Sequence, residues 1–412
     1  MATVKPFQPY RYSPQAGDTA RLLTQPYDKI SPEMRAKYLA ASPYNLVRVI
    51  LGEQQPSDND SENVYTRAAA HLNAWVREGI LVQDAAPGFY AYAQEFAVPD
   101  TGERTSRMGF IGLGRVEDYE AQVVFRHEQT LSGPKKDRME LLRHTRAHFG
   151  QIFMLYPDSQ RTVDRLLEQA AGGEPVLDTV DDFGARHRLW PVTDAALVER
   201  IQKAMADKKL LIADGHHRYE TALAYRNQHP GDAAAQYVMM TFVNMHSPGL
   251  KILATHRVLR NLPGFDEGAL VKRAYDQWKV RNFSSVGDLK VALRQPAAGV
   301  VRIGMVTEHG DDLLERPRKH GELDVPVLHN EILHGLLGIS EEAVREESFL
   351  TYVRGMDAAV AEVRQRGAQV AFLLDPTPIE DMARIAFAGG VMPQKSTDFY
   401  PKLLSGVTIY KL

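Results

Sequence analysis

The sequence predicts an α+β fold. Short apolar runs of strand length are intermixed with longer stretches of helical pattern, and the two do not alternate strictly as βαβ units would. Hairpin signals recur, while heptads, solenoid repeats and low-complexity tracts are missing. With 412 residues, 44% hydrophobic and 25% charged, the chain has the length for two domains or three and an ordinary globular composition.

Taken in order, Ser31-Pro32 is an N-cap and N1 pair that starts a helix. Pro43 to Ile50 reads as the beginning of a strand, with Arg48 alternating with apolar neighbours. The polar stretch Glu53 to Asn63 reads as a loop before a helix from Glu62 to Glu78. Phe89 to Val98 and Arg104 to Val116 flank the turn signal Pro99-Asp100-Thr101-Gly102 and form a hairpin. Gly109, Gly112 and Gly114 fall inside its second strand and read as structural. Helices at Asp137 to Phe149 and Gln160 to Ala170 bracket a strand at Gln151 to Tyr156, and Val176 to Trp190 reads as another hairpin. Thr193 is the expected N-cap of a helix reaching about Asp207. Strands follow before Asp214-Gly215, at Gln236 to Met245 and at Leu250 to Val258. A boundary at Asn261-Leu262-Pro263-Gly264 divides the chain into regions 1–260 and 261–412. The second region carries helices at Glu267 to Gln277, Val286 to Gln295, Asp324 to Leu337, Asp357 to Gln365 and Ile379 to Phe387. Between them lie a hairpin at Val300 to Leu314 and a strand at Gln369 to Leu374.

Composition narrows the function. The net charge of −3 and pI near 6.5 predict no general attraction to nucleic acid or anionic membrane, so any anion site is local. The chain has no cysteine, which removes disulfides, thiolate zinc sites and cysteine nucleophiles together. Met1 to Tyr12 is polar and proline-bearing, without the apolar core of an export signal, and no run approaches the roughly 18 to 20 apolar residues of a membrane span. The expectation is a cytoplasmic protein.

The segment Leu210 to Glu220 holds the densest chemistry. An apolar strand runs into Asp214-Gly215, and His216, His217 and Arg218 then open an alanine-rich helix. Cations are disfavoured at a helix N-terminus, where backbone N–H groups and the dipole already present positive charge. A bound anion resolves the conflict, and phosphate is the first candidate. Gly215 permits close backbone approach, while His216, His217 and Arg218 donate to phosphate oxygens. Asp214 is then free to hold Mg2+ or orient a histidine. Two other readings stand beside this one: His216 and Glu220 sharing a metal ion, or a helix start capped by Asp214 with no ligand at all.

Other loops carry compatible groups. His127-Glu128 precedes Lys135, Lys136 and Asp137 at a helix entry, offering an acid/base pair and phosphate-binding charge, or simply a solvated loop with Asp137 as cap. Tyr27-Asp28 sits in a proline-bracketed turn, with Asp28 a base, a magnesium ligand or a turn former. Tyr27, Arg48 and His127 are candidate substrate contacts. Lys395-Ser396-Thr397 is a phosphate-friendly trio in a loop shaped by Gly and Pro, though not a Walker A sequence. Thr255-His256-Arg257 closes an apolar strand and reads as a solvated strand end, or else as reaching the same cleft.

These residues together resemble the bacterial DUF1015 family: Pro26-Tyr27-Asp28, His127-Glu128-Gln129-Thr130, Asp137-Arg138, Ala213 to Glu220, Thr255-His256-Arg257, Met392 to Thr397 and Phe399 to Lys402. More remotely, Asp214 to Arg218 is similar to the phosphate motif of the ParB/sulfiredoxin-like superfamily, especially its free-serine kinases. That resemblance implies a ParB/sulfiredoxin-like nucleotide-binding core with large α+β elaborations, and phosphate contacts from Gly215, His216, His217 and Arg218. It also implies a carboxylate that activates the substrate hydroxyl, for which Asp28, Glu128 and Asp214 are candidates. His217 joins them as a catalytic candidate, and Lys135, Lys395, Ser396 and Thr397 add phosphate contacts. The expected activity is transfer from ATP or ADP, with Mg2+, to a small hydroxyl compound, free L-serine first. A phosphohydrolase using the same cradle, or a nucleotide-binding switch, are the alternatives. Nucleic acid and membrane are not expected partners.

Overall fold

The computed structural model describes residues 1–99, 101–128, 133–295 and 298–412, with backbone alone at 133–134. The fold is α+β. A nine-stranded sheet runs, edge to edge, through Val124–Phe125, Leu210–Asp214, Ile152–Tyr156, Tyr237–Asn244, Arg104–Arg115, Phe89–Ala97, Arg186–Val192 and Leu177–Val180, with Val4–Lys5 also paired to Arg104–Arg115. Leu210–Asp214 and Tyr237–Asn244 each have one parallel neighbour, and every other pairing is antiparallel.

Period-two alternation sends side chains to two cores. Phe110, Met154, Ile212, Met240 and Phe242 lie on one face, under helices Thr162–Ala170, Ala195–Met205 and His216–Gln228. Ile111, Phe153, Leu155, Leu211, Ala213 and Met239 lie on the other. That face is covered by the end of the chain: Met382, Ala383 and Ala386 of helix Ile379–Phe387, then Phe399, Leu403, Leu404 and Val407. Gly109 and Gly114 sit where Arg104–Arg115 meets Tyr237–Asn244. A Cβ there would collide with the Phe242 carbonyl or the Met240 side chain, so glycine keeps the strands at pairing distance.

A six-stranded sheet is built from Lys279–Asn282, Asp311–Pro317, Val300–Val306, Val370–Leu373, Thr255–Leu259 and Leu350–Arg354, in that order across the sheet and all antiparallel. After Val370–Leu373 the chain returns to the first sheet, where Asp398–Tyr400 pairs with Lys251–Leu253 and Ser405 bridges Thr24.

Several local expectations are corrected. Pro43 to Ile50 does not open a strand: the Asn45 side chain accepts from the Val47 amide at 2.9 Å, and Val47–Ile50 winds into a helical turn. Leu250 to Val258 is two strands in different sheets, broken at Ala254. Asp194, rather than Thr193, caps Ala195–Met205, its carboxylate accepting from the Leu197 amide at 2.8 Å. The helix expected over Asp137 to Phe149 is Gly133–Thr145, so Asp137 lies inside it and accepts from the Tyr65 hydroxyl at 2.9 Å. Asp324 to Leu337 begins as α-helix (Asp324–Val327) and continues as π-helix (Leu328–Leu336).

Candidate active site

Leu210–Asp214 is apolar and buried up to its last residue, which faces the site. The pairing with Ile152–Tyr156 slips between Ile212 and Asp214, and this bulge re-aims the strand end. Gly215 follows at φ +93°, the left-handed region, and is itself the N-cap of His216–Gln228, so no side chain caps this helix. Asp214 is therefore not the cap. A Cβ on Gly215 would come within 2.9 Å of the Arg218 guanidinium, which packs over it. Arg218 donates to the Gln151 carbonyl at 2.6 Å and to Asp214 Oδ2 at 3.0 Å.

Asp214 faces cations on both sides, with Lys402 Nζ at 3.4 Å from Oδ1. Lys402 also pairs with Asp398 at 3.1 Å, and Asp398 accepts from Arg354 at 2.6 Å. The result is a buried chain of alternating charge. Burial opposes ionisation of Asp214, but Lys402 and Arg218 outweigh it and hold the carboxyl far below its usual range. Asp398 is likewise buried, and Lys402 and Arg354 bring it down to about 2. Lys402 stays protonated because the two carboxylates overcome its desolvation. Its backbone is fixed from below: buried Arg107 donates to the carbonyls of Tyr400 and Pro401 at 3.0 and 2.7 Å, and Gln94 to that of Lys402 at 2.9 Å.

His127 and Glu128 are tied to the C-terminal stretch. The Met392 amide donates to the His127 carbonyl at 2.7 Å, and Glu128 bridges Met392. Glu128 Oε1 accepts from the Thr397 amide and from its hydroxyl, both at 3.1 Å. Burial pushes the Glu128 carboxyl up, but His127, His216 and the Thr397 amide more than compensate and lower it to about 2. His127 is fully buried, and its ring meets that of His216 edge-on at 4.9 Å. His216 Nε2 is buried without a hydrogen-bond partner among the described residues. Desolvation, reinforced by His127, lowers this imidazole to about 3, so it is neutral. Gln129 and Thr130 of the same motif lie outside the described residues.

The three stretches converge. A cavity of about 450 Å³ is lined by Asp28 and Lys29 of the N-terminal turn, by Glu128 and Asp214, and by Lys395, Thr397, Asp398 and Lys402. Thr255, Tyr352 and Arg354 from the six-stranded sheet complete the wall. Among the described residues, Asp28, Lys29 and Lys395 form no salt bridge. Burial, with Lys402 nearby, lowers the Lys29 ammonium from its usual value. His217 is half-buried beside Glu220 and within the field of Lys135, Asp28 and Lys395; desolvation lowers its pKa.

Other candidates are placed differently. Lys135 and Arg126 are ion-paired to Glu220. Ser396 turns inward, its hydroxyl donating to the Pro393 carbonyl at 2.6 Å. Tyr27 stacks under the Arg138 guanidinium at 4.1 Å and lines a separate cavity of about 60 Å³ with Arg218 and Gly150. Arg48 donates to the Leu39 carbonyl at 2.7 Å from its helical turn and is not among the residues lining the larger cavity. Thr255-His256-Arg257 is no solvated strand end: His256 and Arg257 are buried, and Arg257 donates to the Lys395 carbonyl at 3.1 Å and to His329 at 3.3 Å. Lys29, Lys402, Asp398 and Arg354 were not singled out by spacing. Lys402 alone left a trace, in the Tyr400-Pro401-Lys402 end of its motif.

Asp214, the carboxylate expected to hold Mg2+, is engaged by cations. Both Asp214 oxygens face cations, and no group of three His, Asp or Glu side chains able to hold a metal occurs among the described residues. No helix among them is long and apolar enough to cross a membrane.

The profile of the family described as "Protein of unknown function (DUF1015)" matches residues 4–357, so the Met392 to Lys402 stretch lies beyond the matched span. No curated protein matches. Among solved structures, the chain is similar to a conserved hypothetical protein from Pyrococcus furiosus, at 13% identity and a TM-score of 0.36, covering 69% of this chain and 91% of that one. It is similar to a free serine kinase in complex with AMP at 14% identity and 0.37, covering 67% and 83%. A third is SbnI with C-terminal truncation from Staphylococcus aureus, at 12% and 0.38, covering 71% and 85%.

Proposed function

The chain belongs to the DUF1015 family, and we propose that its large cavity is the active site of a nucleotide-dependent phosphotransferase acting on a small hydroxyl compound. One observation carries the reading: two lysines and one carboxylate, none in a salt bridge among the described residues, share the cavity beside an uncapped helix N-terminus. Phosphoryl transfer asks a protein mainly for positioning and charge neutralisation. Lys29 and Lys395 supply positive charge not already consumed by neighbours, and the first amides of His216–Gln228 add fixed dipoles. His216 Nε2 is an unused polar atom at the same helix start.

The base follows from elimination among the three carboxylates. Asp214 is locked between Arg218 and Lys402, and Glu128 Oε1 is already taken by the amide and hydroxyl of Thr397. Asp28 is exposed at the cavity edge, so it is the group that accepts the proton of an incoming hydroxyl. Free L-serine is the first acceptor to try, with ATP and ADP as donors.

The test is a mass-spectrometric assay for phosphorylated acceptor, run with ATP or ADP against serine and related hydroxyl compounds. Asp28→Asn should lower turnover by about 100-fold or more while leaving nucleotide affinity near that of the parent. Nucleotide binding with no acceptor turned over would overturn the phosphotransferase reading.

A further inference from the structure

The hydroxyl of Thr397 is presented as a nucleophile. Its partner, His127, has Nδ1 at 2.7 Å from the Ile212 carbonyl and Nε2 at 2.7 Å from Thr397 Oγ1. A carbonyl only accepts, so Nδ1 carries a proton, and this bond orients the ring. The hydroxyl donates to Glu128 Oε1, while Nε2 packs against the same Thr397 oxygen. The nucleophile thus lies within hydrogen-bond reach of a carboxylate base and of an imidazole that positions it, the geometry of an activated serine or threonine. His127 is fully buried, so its orientation is fixed by packing.

The carboxylate of Glu128 completes the arrangement. Oε1 lies 3.1 Å from Thr397 Oγ1 and 3.6 Å from His127 Nε2, so it is the acceptor of the hydroxyl proton, with the imidazole beside it. The same oxygen holds the Thr397 amide and with it the nucleophile's backbone. Neighbouring Ser396 faces the protein interior, whereas Thr397 lines the cavity. Through His127, the hydroxyl is two contacts from the first residue of the uncapped helix.

We propose that Thr397 is a self-phosphorylation site that takes its phosphoryl group from a nucleoside triphosphate in the cavity. This rests on the phosphotransferase reading and goes beyond it. Oγ1 bonds to the terminal phosphorus as its proton passes to Glu128 Oε1. The bond to the bridging oxygen breaks, and the nucleoside diphosphate leaves with the electron pair. The Glu128 carboxyl then returns its proton to solvent. The product is a phosphate monoester, a class whose uncatalysed hydrolysis is among the slowest known, so the mark persists. It places about 1.5 to 2 negative charges beside Glu128 and in the space a nucleotide's phosphates would occupy. Self-phosphorylation therefore closes the cavity to further nucleotide.

The test incubates the full chain with ATP labelled in the γ-phosphate, then measures intact mass, maps peptides and titrates nucleotide binding in parallel. Label on Thr397, kept in Thr397→Ser and lost in Thr397→Val, is the expected result. Glu128→Gln should slow labelling by about 100-fold or more. Weaker nucleotide binding by the labelled protein is expected as well. If nucleotide binds but Thr397 stays unlabelled, or label goes elsewhere, the proposal fails and the phosphotransferase reading survives. If nucleotide does not bind at all, both fall.

Discussion

Lys402 shows what a single buried side chain does here. It is 8% exposed and lies between Asp214 and Asp398, so removing its charge strands two carboxylates away from water. Lys402→Met keeps the length of the side chain and should cost about 3 to 5 kcal/mol, read as a shift in the urea midpoint at unchanged slope. An unchanged midpoint would mean that the lysine is not what balances the pair. Residues whose type is itself unusual in context were legible from sequence: Asp28 in a proline-bracketed turn, Asp214 before Gly215, and Lys395 beside two hydroxyls. Lys29 and Arg354 were not, because one cation on a turn or a strand is ordinary until the fold puts a carboxylate or a cavity next to it. Ser396 and Thr397 are adjacent and chemically alike, yet only the backbone's course turns one inward and the other to the cavity.

At the scale of elements, one glycine sets how closely two strands approach. Gly109 lies on the central strand Arg104–Arg115, where a Cβ would meet the Phe242 carbonyl of the paired strand, a backbone atom that cannot rotate away. Gly109→Ala should therefore destabilise by about 1 to 3 kcal/mol, measured as a lowered midpoint in chemical denaturation. A neutral effect would mean that the strands separate more easily than their pairing implies. Most long elements were legible, because helical or alternating patterning over ten residues outweighs local accidents. Helices Glu267–Gln277 and Ile379–Phe387 match their expected limits. The misreadings sit where a local contact decides: the Asn45 side chain winds Val47–Ile50, and tertiary pairing splits one apolar run at Ala254. No periodicity records either.

The whole molecule makes the site by returning on itself. The chain leaves the nine-stranded sheet after Tyr237–Asn244, builds a second sheet, and comes back with Ile379–Phe387 and the stretch to Val407 to cover the open face of the first. That return brings Lys395, Thr397 and Lys402 against Asp28, Glu128 and Asp214, residues up to 374 positions away in sequence (402 minus 28). The α+β class was legible from the intermixed elements. The convergence was not, because it depends on which face of the first sheet the end of the chain chooses, and both faces are apolar. The central claim is that this cavity holds the phosphates of a nucleotide. A crystal structure of the full chain with a non-hydrolysable ATP analogue tests it most directly. The account predicts phosphate density at the start of His216–Gln228, within reach of Lys29 and Lys395. Nucleotide bound elsewhere, or a cavity empty at saturating analogue, would contradict it.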